Sequence, residues 1–229
     1  MKTIGLLGGM SWESTAHYYR LINEATRKSL GGLHSAPIAM FSVDFQEIEA
    51  LQHAGDWDAT AEILSRKATQ VEAAGAELLL ICTNTMHIVA DQIAAAINIP
   101  LLNIADATAT VIRESGITAV GLLGTKFTME QEFYRGRLVG HGLDVIVPPE
   151  QDRDVVHRVI YEELCRGEIK DESRAEFLRI IDDLQQQGAE AVIEGCTEIG
   201  LLVKQEHTKV PLFDTTSIHA QQAVVEALK

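Results

Sequence analysis

Short hydrophobic runs alternate along the chain with longer segments in which apolar residues recur at helical spacing. Strands are predicted near residues 3–7, 38–43, 77–82, 118–123, 143–147 and 190–194. The clearest helices are predicted at about 14–28, 58–74, 155–165 and 173–187. Short buried strands separated by amphipathic helices are typical of a parallel sheet with helical crossovers. The pattern therefore predicts an α/β fold.

The second half of the chain repeats the first. Residues 3–8 (TIGLLG) resemble 118–124 (TAVGLLG), and residues 75–77 and 188–190 both read Gly-Ala-Glu before an apolar strand. Further along, the segment 99–102 (IPLL) matches 210–213 (VPLF). These matches keep their order at a spacing of about 110 residues, which indicates duplication of one structural unit.

A duplicated unit predicts two pseudo-symmetric, doubly wound parallel-sheet lobes. We assign residues 1–103 and 212–229 to the first lobe and residues 104–211 to the second. Ligands of such sheets bind beyond the carboxyl ends of the strands. The active site is therefore expected in the cleft between the lobes, where equivalent residues of the two copies would approach a ligand from opposite sides.

Composition narrows the choice of partner. The chain has 229 residues, of which 46% are hydrophobic, and a net charge of -14. That charge disfavours nucleic acid and anionic membrane surfaces, and the apolar runs fall short of the roughly 20 residues of a membrane helix. No export signal is visible. We expect a cytoplasmic protein with a small-molecule ligand and no nucleic-acid or membrane partner.

Cys82, Cys165 and Cys196 are the only cysteines, and none of them has C-x-x-C spacing. This pattern argues against a disulfide scaffold and a structural zinc site. No histidine or carboxylate cluster has metal-ligand spacing either, so no metal site is predicted. Because side chains alternate along a strand, we expect Cys82 to face away from Thr83 and to be a core thiol.

Thr83 and Cys196 each follow a predicted strand and come just before a predicted helix. The unsatisfied N–H groups at a helix N-terminus would favour the thiolate form of Cys196. Ordinary strand-to-helix turns with polar caps would give the same local pattern. The equivalent placement of the two residues in the two copies favours a functional role.

The segment 83–87 (TNTMH) resembles the (Cys/Thr)-Asn-Thr-x-His segment of the aspartate/glutamate racemase superfamily, and 195–198 (GCTE) resembles its second Gly-Cys-Thr-Glu segment. The opening 8–11 (GGMS) agrees as well. The resemblance implies two α/β lobes, no pyridoxal phosphate or metal cofactor, and a homodimer. It also implies amino-acid racemisation by two opposed acid/base groups, with Cys196 and Thr83 at the two catalytic positions.

Thr83 departs from the many members that carry cysteine at this position. An aliphatic hydroxyl is a poor free base near neutral pH, whereas a thiol can titrate there. We therefore expect slow or stereochemically biased racemisation. His87, one helical turn later, is expected either to relay or orient a proton or to act as a cap, and His219 is a further candidate.

A carboxylate substrate needs hydrogen-bond donors that also spread the charge of the carbanion. The predicted substrate-binding residues are Met10, Ser11, Gln52, Asn84, Thr85, Thr125, Thr197 and Glu198. Typical aspartate racemases place an arginine after the second strand and a lysine in a helix of the second lobe. Neither is found in the corresponding regions, 43–46 and 161–165, so the partner of a distal carboxylate stays open.

Three functions remain open. The first is a cofactor-independent amino-acid racemase or epimerase of the aspartate/glutamate type. The second is a one-cysteine decarboxylase resembling the arylmalonate type, suggested by the missing first cysteine. The third is a non-catalytic amino-acid binding module. Exchange of the α-proton, release of carbon dioxide, and ligand-induced stabilisation without turnover would distinguish them.

Overall fold

The computed structural model describes all 229 residues, which form two compact units. One unit contains Met1–Ile104 and His219–Lys229, and the other contains Ala105–Ile218. Each unit has its own four-stranded sheet, and every strand pairs in parallel. None of the helices is both long enough and apolar enough to cross a membrane.

The sheet of the first unit has the order β2-β1-β3-β4. Its strands are β1 (Ile4–Gly8), β2 (Ile38–Ser42), β3 (Leu78–Ile81) and β4 (Leu101–Leu102). The helices are α1 (Trp12–Leu30), α2 (Phe45–Ala54), α3 (Trp57–Ala73) and α4 (Ala90–Ala95), with a 3₁₀ turn at Thr85–Val89.

The sheet of the second unit has the equivalent order, β6-β5-β7-β8. Its strands are β5 (Ala119–Gly124), β6 (Asp144–Ile146), β7 (Ala191–Gly195) and β8 (Leu212–Asp214). The helices are α5 (Ile104–Glu114), α6 (Lys126–Glu130), α7 (Glu132–Gly140), α8 (Glu150–Glu162), α9 (Asp171–Gln186) and α10 (Ile199–Leu202), with 3₁₀ turns at Leu164–Arg166 and Gln205–His207. The last helix, α11 (Thr215–Leu228), begins in this unit and from His219 onward belongs to the first.

The predicted α/β class with two parallel sheets is confirmed, and the six predicted strands are found to within one residue at each end. The short strands β4 and β8 were not predicted as strands. Each directly follows a proline, and the carbonyl groups of Pro100 and Pro211 accept hydrogen bonds from Leu79 and Val192. Proline has no backbone N–H to donate, but it can precede an edge strand because its carbonyl still accepts a hydrogen bond from the neighbouring strand.

The second boundary between the units differs from the predicted one. Residues 212–218 were assigned to the first lobe, but they lie in the second unit. The reason is strand pairing, since Leu212, Phe213 and Asp214 of β8 pair with β7. The chain therefore crosses between units inside α11, after Ile218.

The central strands are buried on both faces, as parallel strands between helical layers must be. In the first unit, Leu7, Leu79 and Ile81 join a core cluster that includes residues of α2, α3 and α4. Their neighbours Leu6 and Leu80 alternate to the opposite face and pack with residues of α1 and α11. Burial of one such side chain stabilises the fold by roughly 1.5–3 kcal/mol.

The repeated glycines mark close contacts between a strand end and the following helix. A Cβ on Gly8 would lie 2.6 Å from Thr15 Oγ1, at the start of α1. A Cβ on the equivalent Gly124 would lie 2.9 Å from the Gly195 carbonyl oxygen and 3.1 Å from Thr128 Cβ, in α6. The duplicated sequence thus preserves space for the helix that follows each first strand.

We expect Gly8→Ala and Gly124→Ala each to lower the free energy of unfolding by about 1–3 kcal/mol, because the added methyl group overpacks these contacts. Thermal and urea unfolding monitored by circular dichroism would measure the loss. Gly140→Ala is the control, since no atom lies within 4 Å of a Cβ at that helical position. Wild-type stability in both strand variants would contradict the packing explanation.

Candidate active site

Most of the predicted site residues lie just beyond the carboxyl ends of the two central strands of each sheet. In the first unit, Met10 and Ser11 follow β1, and residues 83–85 follow β3. In the second unit, Thr125 follows β5, and residues 196–198 follow β7. Since β1 is next to β3 and β5 is next to β7, each unit collects its two segments at one sheet edge.

The loop after β1 is tied to the start of α1. Ser11 caps the helix by accepting a hydrogen bond from the Ser14 N–H (3.3 Å). Thr15 Oγ1 accepts from the Gly9 N–H (2.8 Å) and donates to the Ser11 carbonyl (2.9 Å). Ser14 Oγ donates to the Cys82 carbonyl (3.1 Å), so the loops after β1 and β3 are joined. Ser14 and Thr15 were not among the predicted site residues, although the cap pattern in 11–15 (SWEST) could have indicated them.

Thr83 is the only residue of 82–87 that is partly exposed. Asn84 and Thr85 are buried beside it, and Cys82 is fully buried in the core with Leu6 and Tyr18. Burial raises the pKa of the Cys82 thiol far above its ordinary value,. Cys82 is thus the predicted core thiol, and Thr83 carries the partly exposed side chain of this segment.

His87 fixes the backbone of the Thr83 segment. Its Nδ1 donates to the Thr83 carbonyl (2.8 Å), and its Nε2 accepts from the Ile104 N–H (3.2 Å). Because a carbonyl can only accept and an amide N–H can only donate, these partners select the neutral Nδ1–H tautomer. Both ring nitrogens are therefore engaged by the backbone, which favours the orienting role over proton relay.

His219 is buried behind His87, with the ring centroids 5.9 Å apart. Its Nε2 donates to the Leu102 carbonyl (2.9 Å), and its Nδ1 accepts from the Tyr18 hydroxyl (2.9 Å). Burial, together with the neighbouring His87, lowers the pKa of His219 to about 3. His219 is therefore a neutral residue of the core and no candidate for acid/base chemistry.

Cys196 is also partly exposed and carries a hydrogen bond to a buried carboxylate. Its Sγ donates to Glu198 Oε2 (3.0 Å), and Thr197 Oγ1 donates to the same oxygen (2.6 Å). Glu198 itself is buried. The structure thus brings three predicted residues together and places Glu198 against the thiol, where its carboxylate could accept the thiol proton.

The expected helix effect on Cys196 is not observed. Burial, the Glu198 carboxylate and the nearby Cys165 raise the pKa of the Cys196 thiol well above its ordinary value. The following helix, α10, has only four residues and offers little dipole,. The resting thiol is consequently protonated, and the expectation of a stabilised thiolate was wrong.

The other predicted residues have structural contacts of their own. Thr125 caps α6, with its Oγ1 accepting from the Thr128 N–H (3.4 Å). Gln52, expected to contact substrate or solvent, lies in α2 with 2% of its surface exposed. Asp44, in the region where an arginine was sought, caps α2 by accepting from the Gln46 N–H (3.1 Å). His, Cys, Asp and Glu side chains form no group of three or more that could hold a metal ion.

Comparisons with known proteins support the fold and identify relatives of the chain. A protein from Yersinia pestis that is assigned as an Asp/Glu racemase is 56% identical to this chain in sequence. Its crystal structure matches with a TM-score of 0.94 and full coverage of both chains. An aspartate racemase homologue from Pyrococcus horikoshii OT3 is 36% identical, with a TM-score of 0.88 and full coverage of both chains. Among curated sequences, the broad specificity amino-acid racemase RacX of Bacillus subtilis strain 168 is 22% identical over 96% of each chain.

The family model described as Asp/Glu/Hydantoin racemase matches residues 7–223, nearly the whole chain. The matched range includes both strand-end segments that carry Thr83 and Cys196. The chain therefore belongs to the Asp/Glu/hydantoin racemase family.

Proposed function

We propose that the protein is a cofactor-independent amino-acid racemase or epimerase in which Thr83 and Cys196 exchange the α-proton of the substrate. One observation carries the proposal: each of the two units has a partly exposed hydroxyl or thiol within two residues of the end of its second central strand, at Thr83 and at Cys196. Membership of the racemase family supports the same reaction. A cytoplasmic location, expected from the sequence, and a homodimer, implied by the resemblance, belong to this proposal.

In one direction, the thiol proton of Cys196 passes to the Glu198 carboxylate, and the resulting thiolate removes the α-proton. The hydroxyl of Thr83 then donates a proton to the opposite face of the carbanion and is reprotonated from solvent. Glu198 releases its proton to solvent, which restores the carboxylate beside a Cys196 thiol that now carries the former α-proton. The reverse direction requires the hydroxyl to act as the base. Because an aliphatic hydroxyl is far less acidic than a thiol, kcat should differ between the two directions. KM then differs in the same proportion, since the free enantiomers have equal energies and kcat/KM is the same in both directions.

The substrate carboxylate is bound by N–H and hydroxyl donors of the strand-end segments. The proposed residues are Met10, Ser11, Asn84, Thr85, Thr125 and Thr197, with Gln52 toward the side chain. Residues 43–46 (VDFQ) and 161–165 (YEELC), where aspartate racemases carry an arginine and a lysine for the distal carboxylate, contain neither residue type. We therefore propose an aspartate/glutamate-type racemase with broad side-chain specificity, and the similarity to RacX supports this breadth.

Single enantiomers of aspartate, glutamate and several neutral amino acids, incubated in deuterated water, test the reaction directly. Wild-type protein should incorporate α-deuterium and invert the centre. Cys196→Ser should slow exchange by about 10²–10⁴-fold, because an acid/base group is lost. Thr83→Cys should bring the kcat values for the two enantiomers closer together. Cys165→Ser is the matched control and should retain exchange.

Absence of exchange with every amino acid would contradict the racemase proposal. Carbon dioxide release from a disubstituted malonate would instead indicate a decarboxylase. Ligand-induced stabilisation without exchange would indicate a binding module. Undiminished exchange in Cys196→Ser would contradict the role of Cys196 as an acid/base group, even though the protein would still be a racemase.

Glu198→Gln separates two effects of this carboxylate on Cys196: its charge raises the pKa of the thiol, and its oxygen can accept the thiol proton. Removal of the negative charge should lower the pKa of the thiol, so alkylation of Cys196 by iodoacetamide at neutral pH becomes faster, as followed by peptide mass spectrometry,. Racemisation should nevertheless become slower, because the amide cannot accept the thiol proton. If alkylation and racemisation both become faster, Glu198 is not the proton acceptor.

His87→Phe tests whether His87 orients Thr83. Loss of the ring nitrogens leaves the Thr83 carbonyl and the Ile104 N–H without these partners, at a cost of about 1–3 kcal/mol for each group,. Stability should fall, and exchange that depends on Thr83 should slow more than exchange that depends on Cys196. His34→Ala, at an exposed position, should change neither quantity. Equal slowing of both directions would contradict the orienting role.

A further inference from the structure

Two carboxyl groups meet inside the second unit, next to the segment that carries Cys196. Glu194 of β7 and Asp214 of β8 are direct partners in the parallel ladder. A methyl group on Gly200 of α10 would lie 3.7 Å from Glu194 Oε2 and 4.0 Å from Asp214 Cγ. Both carboxyl groups therefore lie next to Gly200. The helix α10 that contains Gly200 begins three residues after Cys196.

The two carboxyl groups have unequal surroundings. Asp214 accepts hydrogen bonds from the Thr216 N–H (2.9 Å) and from Ser217 Oγ (2.5 Å) at the start of α11. Glu194 is 4% exposed, and its Oε1 atom has no hydrogen-bond partner. Its main-chain carbonyl, by contrast, accepts from Thr215 Oγ1 (2.9 Å). Asp214 is thus equipped to carry a negative charge, whereas the Glu194 carboxyl group is not.

We propose that Glu194 and Asp214 share one proton, held on Glu194, and that this acid pair positions α10 and the Cys196 segment before it. A protonated Glu194 can donate its O–H to the Asp214 carboxylate, which satisfies a buried group that an ionised Glu194 would leave without a donor. Glu194 is a positioning residue in this proposal, since it acts through α10.

Electrostatics supports the location of the proton. Burial and the charge of Asp214 raise the pKa of Glu194 from 4.5 to about 8,. Asp214 is the titratable residue that faces Glu194 from β8, while the ladder partner from β5 is the apolar Leu123. From the α10 side, Gly200 has no side chain, and the nearest acidic residue, Glu198, is bonded to Cys196 and Thr197.

The sign of the pH effect follows from the raised pKa. The folded protein binds this proton more tightly than the unfolded chain does, so the resulting stabilisation is complete below about pH 4.5 and is lost as the pH rises to about 8,. Above that pH, a second charge under α10 repels Asp214 and loosens the segment. The existence of the acid pair does not depend on the proposed racemase activity. Only an effect of the pair on α-proton exchange would rest on that proposed function.

Glu194→Gln tests the pair, because the amide keeps the shape and one donor but cannot ionise. Melting temperatures of wild type and variant should be similar near pH 5, and the variant should become the more stable protein as the pH rises to about 9. Glu62→Gln, at an exposed position of α3, should follow the wild type at every pH. Deuterium uptake by residues 195–202 should increase above about pH 8 in wild type but not in Glu194→Gln.

The protonation of Glu194 can also be titrated directly. Carbon-13 NMR of glutamate-labelled wild type should contain one carboxyl resonance that titrates near pH 8 and is missing from Glu194→Gln; in Asp214→Asn its pKa should fall. An ordinary pKa for Glu194, or parallel stability curves for wild type and Glu194→Gln, would overturn the acid pair whether or not the protein racemises amino acids. Absence of α-proton exchange with a normal Glu194 titration would overturn only the racemase proposal.

Discussion

The close approach of each first strand to its following helix is the constraint on which the rest of the structure depends. Gly8 and Gly124 leave room for the threonines at the starts of α1 and α6. In the first unit, Thr15 then binds the Gly9 N–H and the Ser11 carbonyl, and Ser14 binds the Cys82 carbonyl. Those hydrogen bonds join the loops after β1 and β3, so the geometry of the first unit's part of the candidate site depends on the absence of a side chain at Gly8.

The two copies of the unit support equivalent positions with different chemistry. Behind Thr83, His87 connects the loop to the backbone of Ile104, and the ring of His219 packs against His87 and donates to the Leu102 carbonyl. Next to Cys196, carboxyl groups take that place, with Glu198 on the thiol and Glu194 in the strand. The difference suits the proposed roles, because a hydroxyl needs orientation above all, whereas a thiol also needs a group that can take its proton.

The sequence was sufficient for the features that depend on local pattern. Short hydrophobic runs between segments of helical spacing located six of the eight strands, and the alternation rule placed Cys82 in the core. Tertiary contacts explain the failures. The strands β4 and β8 are defined by their pairing with β3 and β7, and the pairing of β8 with β7 moved the unit boundary. The pKa of Cys196 depends on the buried Glu198 and on Cys165, whose proximity no spacing rule reveals.

Glu194 was visible in the sequence as an acidic residue in an otherwise apolar strand, 191–195 (AVIEG), but its meaning depends on Asp214 about 20 residues away in another strand,. Negative charge near Cys196 opposes thiolate formation, and Glu198 already contributes one such charge,. An ionised Glu194, in the strand that leads to Cys196, would add to that penalty. A proton on Glu194 keeps the local charge low, which reconciles a strongly acidic protein with a cysteine that must become negative to act as a base.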